Sequence, residues 1–205
     1  MPSSLAHFFA PSDERAMWRL QARHDMGAFA QLVSRWQKPI HALCWRMTGD
    51  MHQAEDLVQE TFARLFARRG DYLPVGRFST FIWRIALNLC YDELRRRQRR
   101  EEVPLSAPDA EAGREPAPLV VVCEDPAPDA AMMLRERAAL VRAALLALSE
   151  PYRAVVVLRH YENLKFREIA EVLDIPEGTV KSRMAEALDQ LSHHFTRHYP
   201  FSENL

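Results

Sequence analysis

Glycine is scarce in this chain, at six of 205 residues, while Ala, Leu, Arg and Glu are plentiful, so composition favours helix over sheet. Cysteine is scarce too. Cys44, Cys90 and Cys123 form no Cys-x-x-Cys pair and no even-numbered framework, which excludes a disulfide scaffold and fits a reducing compartment. No run of about 18 apolar residues is present, and no basic start leads into an apolar run at the N-terminus, so neither a membrane span nor an export signal is expected. A cytoplasmic protein follows from that reading. Net charge is nearly absent too, since 27 Lys+Arg face 28 Asp+Glu for a formal charge of -1. What is present, 48% hydrophobic and 27% charged residues, is ordinary for a globular chain that holds one mid-sized domain or two small ones.

The neutral total hides two opposed segments. Arg95, Arg96, Arg97, Arg99 and Arg100 form a cationic run, whereas Glu101 to Asp129 carries eight acids against Arg114 alone. That acidic stretch also holds Pro104, Pro108, Pro116, Pro118, Pro126 and Pro128, which interrupt helix and leave little apolar surface to bury. It reads as a flexible Pro-rich acidic linker. Before it, apolar residues recur at helical spacing from Ala28 to Gly49, and Asp50 with Gln53 has the form of a capping box opening a helix to about Arg69. Gly70 to Gly76 reads as a loop, and Ser79 or Thr80 as the cap of a helix reaching Arg100. After the linker, helices are expected from Asp129 to Leu148 and from Ser149 to about Tyr161, followed by two shorter ones. The expected fold is all-α, with two small helical domains. The expected division is an N-terminal extension and start of the first helix (1–24), a first domain (25–100), the linker (101–129), a second domain (130–196) and a tail (197–205).

Phe166 to Leu191 has the pattern of a helix-turn-helix. Ile169 and Leu173 lie one turn apart, small Ala170 admits a close neighbour, Asp174-Ile175-Pro176 makes the turn, and Val180, Met184, Leu188 and Leu191 form the inward stripe of the next helix. Gly178, Thr179, Lys181, Ser182 and Arg183 then occupy its N-terminal turns, the part of a recognition helix that meets base edges and phosphates. Asp174 stands where a left-handed backbone is needed, which Gly adopts more easily. The competing reading is an ordinary helical hairpin with a solvated face.

On the helix from Ser79, Ile82, Ile85, Ala86, Leu89 and Cys90 form an apolar sector. Arg84, Asn88, Tyr91 and Arg95 recur on the opposite side. Guanidinium groups bind phosphate and rings stack on unpaired bases, so the stripe suits nucleic acid; taken alone it also reads as a solvated face with a basic tail.

The chain resembles the extracytoplasmic-function (ECF) subfamily of bacterial RNA polymerase sigma factors, within the sigma-seventy family. The residues that carry the resemblance are Ala54-Glu55-Asp56-Leu57-Val58-Gln59-Glu60-Thr61-Phe62, Phe78-Ser79-Thr80-Phe81-Ile82-Trp83-Arg84-Ile85-Ala86-Leu87-Asn88, and Leu148-Ser149-Glu150-Pro151-Tyr152-Arg153 leading into Ile175 to Arg183. The resemblance implies a sigma-two-like domain before the linker and a sigma-four-like domain after it. By it, Asp56, Gln59, Glu60 and Phe62 belong to a surface that docks on the beta-prime clamp helices of core RNA polymerase, where the polar groups offer acceptors to a basic partner. Phe78, Trp83, Arg84, Asn88, Tyr91, Arg95 and Arg96 are assigned to the minus-ten promoter element, with one base drawn out of its stack. Gly178, Thr179, Lys181, Ser182 and Arg183 are assigned to the minus-thirty-five element, with the polymerase beta flap as a further partner. An anti-sigma protein that covers both domains is a further implied partner.

Two other readings use the same residues: a helix-turn-helix regulator that acts without polymerase, and a sigma mimic that sequesters an anti-sigma protein. The Asp56 to Phe62 surface speaks against the first. Lys181, Arg183 and the Arg95 to Arg100 run speak against the second. No catalytic constellation, metal site or cofactor is expected, because His193, His194 and His198 lack a Cys or carboxylate at ligand spacing.

Overall fold

The computed structural model describes residues 12–73, 77–102 and 128–198, and the statements below concern those residues. They form eight helices: α1 (Ser12–Arg23), α2 (Met26–Thr48), α3 (Met51–Ala67), α4 (Phe78–Glu102), α5 (Pro128–Ala147), α6 (Glu150–His160), α7 (Phe166–Leu173) and α8 (Glu177–His198). A short 3-10 turn, Arg69–Asp71, follows α3. The expected linker lies mostly outside the described residues.

Local chemistry sets most of the boundaries. Asp25 opens α2 by accepting the Ala28 N–H at 3.0 Å, and Asp50 opens α3 by accepting that of Gln53 at 3.0 Å, each satisfying a donor that the first turn leaves unpaired. Gly49 separates the two helices in the left-handed region at φ 77°, donating to the Trp45 carbonyl, a position where a Cβ would be strained. α4 starts at Phe78, so Ser79 and Thr80 lie inside its first turn and neither is the cap expected from the sequence. A distant group is involved instead: the Phe78 N–H donates to Glu14 Oε1 on α1 at 3.3 Å.

The first four helices enclose an aromatic centre. Trp36 on α2 meets Phe78 and Trp83 on α4 edge to face, at centroid distances of 5.5 and 5.4 Å. Its indole N–H donates to Asp13 Oδ2 at 3.2 Å. Met17 and Leu20 of α1 are fully buried in the same core, so α1 is part of the first domain's packing. In the second unit Val155 and Leu158 of α6, Ile169 and Val172 of α7, and Val180, Met184 and Ala187 of α8 form the core. Leu188 departs from the expected inward stripe: it is 48% exposed and Ala187 is buried in its place. Steps of 3.6 residues carry position 188 past the core-facing edge.

The two units pack directly on each other. Arg153 on α6 is buried and donates to the carbonyls of Leu145, Leu146 and Leu148 at the end of α5 and to that of Met47 at the end of α2. One planar guanidinium thus satisfies orphan carbonyls from two helix ends. Beside it, Arg46 reaches Glu162 at 3.5 Å and lies over the Tyr161 ring, while Arg142 lies over Trp45. Burial pushes the Glu162 carboxyl up to about 7, against the pull of Arg46. Leu146 sits so near Gly49 that a Cβ there would fall 2.8 Å from it.

Candidate nucleic-acid interface

The helix-turn-helix is built by α7, the Asp174–Pro176 turn and α8. Glu168 caps α7 by accepting the Lys165 N–H at 2.8 Å. Asp174 ends it in the left-handed region at φ 56°, ψ 47°. The Ile175 N–H returns to the Ala170 carbonyl, which fixes the angle at which α8 departs. Gly178, Lys181 and Ser182 are exposed on the opening turns of α8, and Thr179 and Arg183 are half-buried. In this conformation Lys181 pairs with Glu177 at 2.7 Å and the Ser182 hydroxyl donates to the Thr179 carbonyl.

A second cationic surface lies on the first domain. A cavity of about 410 Å³ opens between the end of α3, the segment after it and the first half of α4, with Glu171 of α7 on its rim. Arg64, Arg68, Arg77 and Arg84 bring four guanidinium groups to its lining, with Asn88 beside them and the rings of Tyr72 and Phe81 on its wall. The two rings are 5.5 Å apart. Burial, helped by the Glu14 and Asp13 carboxylates, pushes the Tyr72 phenol up to about 12, so it stays a neutral donor. Further along α4, Tyr91 is also raised to about 12, chiefly by burial, while the charges of Arg183 and Arg95 act against the shift. Arg95 and Arg96 lie exposed beyond it, Arg96 within 3.6 Å of Glu93.

The structure therefore groups Arg84 and Asn88 as expected from the stripe, but it removes two aromatic candidates. Phe78 and Trp83 have no exposed surface; they are the partners of Trp36 in the core and present no face to a base. Tyr72, Phe81, Arg64, Arg68 and Arg77 are the cavity residues that the sequence reading missed. Their signal was present but scattered, with Phe81 inside the Phe78 to Asn88 motif and Arg68 just before the Gly70 loop.

On α3, Asp56, Gln59 and Glu60 are exposed on one side, with Glu60 holding Arg64 at 2.9 Å. Phe62 is not part of that surface. It is buried at 7% exposure with its ring 6.5 Å from Phe29, because it falls on the opposite side of the helix. Near the C-terminus His193 lies 3.6 Å from Asp189, and among the described residues no group of three or more metal-ligating side chains occurs. No helix among them is long and apolar enough to cross a membrane.

Residues 32–100 match sigma-70 region 2, and residues 138–191 match sigma-70 region 4. The chain is 35% identical over 170 residues to the ECF RNA polymerase sigma factor SigW of Bacillus subtilis, covering 82% of this chain and 88% of that one. It is 34% identical to the ECF sigma factor SigE of Mycolicibacterium smegmatis over 96% of this chain and 69% of that one. The fold is similar to that of CnrH in complex with the cytosolic domain of CnrY, with a TM-score of 0.66 at 22% identity, covering 91% of this chain and 99% of that one. Two sigma regions in order, on an all-helical frame, show that the chain belongs to the ECF sigma factors of the sigma-70 family, which bind core RNA polymerase and direct promoter-specific initiation of transcription.

Proposed function

We propose that the two cationic surfaces are the two halves of a promoter grip, with the cavity on the first domain taking an unstacked base of the minus-ten strand. The observation that carries this is the cavity itself. Its volume, about 410 Å³, falls in the range of roughly 300–1,000 Å³ typical of small-ligand sites. Rings and an amide offer stacking and hydrogen bonds that offset the few kcal/mol lost on unstacking, and four guanidinium groups suit the adjoining phosphates. Arg84 and Asn88 are the base-edge candidates, and Arg95 and Arg96 bind backbone further along the strand.

In this reading the opening turns of α8, with Gly178, Thr179, Lys181, Ser182 and Arg183, read the minus-thirty-five element as duplex. The exposed Asp56, Gln59 and Glu60 side of α3 docks on the beta-prime clamp helices, and the second domain meets the beta flap. Residues 25–100, with α1 packed into their core, and residues 130–196 are the two working domains, with residues 101–129 joining them. The protein acts in the cytoplasm without catalytic chemistry of its own. An anti-sigma protein controls it, as the solved complex of RpoE from Bartonella quintana with the anti-sigma factor NepR suggests by analogy.

Run-off transcription with core polymerase and promoters enriched by genomic binding tests the reading. A core-dependent transcript is expected. Arg84→Ala or Asn88→Ala abolishes strand opening at the minus-ten element, and Arg183→Ala weakens upstream-element binding by about 1–3 kcal/mol. No core-dependent transcript from any enriched promoter overturns the assignment, and an equal loss on all sequences makes Arg183 a phosphate contact.

A further inference from the structure

Trp18 keeps 48% of its surface exposed, while Ala16, Met17 and Leu20 on the same helix are buried in the first domain. Its neighbours one turn away fix where it lies. Glu14 accepts the N–H of Phe78, and the Gln21 amide donates to the carbonyls of Gly70 and Tyr72. Positions 14, 18 and 21 share one stripe of a helix. α1 thus runs antiparallel to the connection from α3 to α4, held at Gly70 and Tyr72 and again at Phe78, and Trp18 falls between those points. The same connection supplies Tyr72, Leu73 and Arg77 to the cavity lining, and Leu73 is itself 72% exposed. Ring and cavity therefore flank one short wall.

Charge on α1 is sorted in the same sense. Its acids face internal partners, Asp13 meeting Arg35 and Trp36, and Glu14 meeting Phe78. Its cations face outward. Arg15 and Arg23 are exposed, and the Arg23 guanidinium lies 5.3 Å from the centre of the Trp18 ring. A ring among guanidinium groups suits the bases and phosphates of a single strand. Continuity with the cavity favours that occupant over a protein, because a base drawn out of its stack leaves the next base without a partner on one side.

We propose that Trp18 is the stacking platform for a base next to the one held in the cavity, with Arg15 and Arg23 on the flanking phosphates. The single-strand path then extends from α4 onto α1. The inference rests on assigning the cavity to the minus-ten strand. Arg95 and Arg96 lie toward the other end of α4, so the stacked base is on the side of the cavity away from them. Every base has a π face, so the ring holds the opened strand without reading its sequence.

The test uses holoenzyme, the full chain with core polymerase, and a single strand carrying the non-template minus-ten sequence of a promoter that it transcribes. 2-Aminopurine is placed in turn at positions on either side of the minus-ten element. One position beside the flipped base is expected to be quenched by the wild type, released in Trp18→Ala and quenched again in Trp18→Phe. Strand affinity should fall about tenfold in Trp18→Ala, within the range of one base–aromatic stack, and by less than about threefold in Trp18→Phe. An abasic residue at the quenched position should cost the wild type the same factor and cost Trp18→Ala nothing further. Met26→Ala, which removes another exposed apolar side chain near the end of α1, should change none of these.

Three results overturn the proposal: quenching that survives Trp18→Ala at every position, an abasic penalty as large in Trp18→Ala as in the wild type, or a Trp18→Ala defect that lies in affinity for core polymerase and so makes the ring a protein contact. Failure of the minus-ten assignment itself appears separately, as strand binding unaffected by Arg84→Ala and Asn88→Ala.

Discussion

Asp174 shows how one residue sets the geometry of the reading helix. Its φ of 56° places a Cβ where left-handed backbone costs an L-residue about 1–2 kcal/mol, a penalty that the short polar Asp side chain reduces. Asp174→Gly is expected to leave the turn intact and stabilise the protein by up to about 1 kcal/mol, while Asp174→Val destabilises it by about 1–2 kcal/mol; urea unfolding midpoints measure both. The need for a left-handed residue at 174 was legible in the sequence because a turn between two patterned helices demands it. Side-chain direction was less legible. Phe78 and Trp83 sit in a motif rich in cations and amides, yet α4 is enclosed by α1, α2 and α3, and a helix wrapped on several sides buries more than the one sector that periodicity marks. Phe62 was assigned to the docking motif, whereas packing against Phe29 turns its ring into the core.

At the scale of elements, the helix ends that were read correctly are the ones whose capping groups lie nearby in sequence, Asp50 with Gln53 and Gly49 with Trp45. The start of α4 was misread because its partner, Glu14, lies 64 residues away, beyond any local pattern. Arg153 is a stronger instance. It stood in a recognised motif without a role, since the role depends on bringing the ends of α2 and α5 together. Its substitution should be severe. Arg153→Lys keeps the charge but cannot fork to four carbonyls, and the groups left orphaned are expected to cost at least about 3 kcal/mol. Thermal unfolding should show a lower midpoint for this variant and no comparable loss for Arg159→Lys, whose guanidinium meets a single backbone carbonyl, that of Leu164.

For the whole molecule, the buried Arg46–Glu162 contact ties stability to pH. Burial raises Glu162 from 4.5 to about 7, so the packed structure favours the protonated carboxyl. That contribution is complete below about pH 4.5 and is lost as pH rises through about 7, a change of about 3 kcal/mol for a shift of this size. Unfolding free energies measured between pH 5 and pH 8, about the window of that shift, should fall more steeply with pH in the wild type than in Glu162→Gln. A flat wild-type profile would show that Arg46 holds the carboxylate charged throughout. The packing of the two units was the least legible feature of all, because a proline-rich acidic segment between two patterned domains reads as independence, whereas the surfaces that meet are scattered over α2, α4, α5, α6 and α7. Gly49 joins these levels. The absent side chain that lets α2 turn sharply into α3 is also the space that Leu146 of α5 approaches. A single added methyl at position 49 would therefore act twice, straining the left-handed backbone of the corner and pushing on the Leu146 side chain across the seam between the two units.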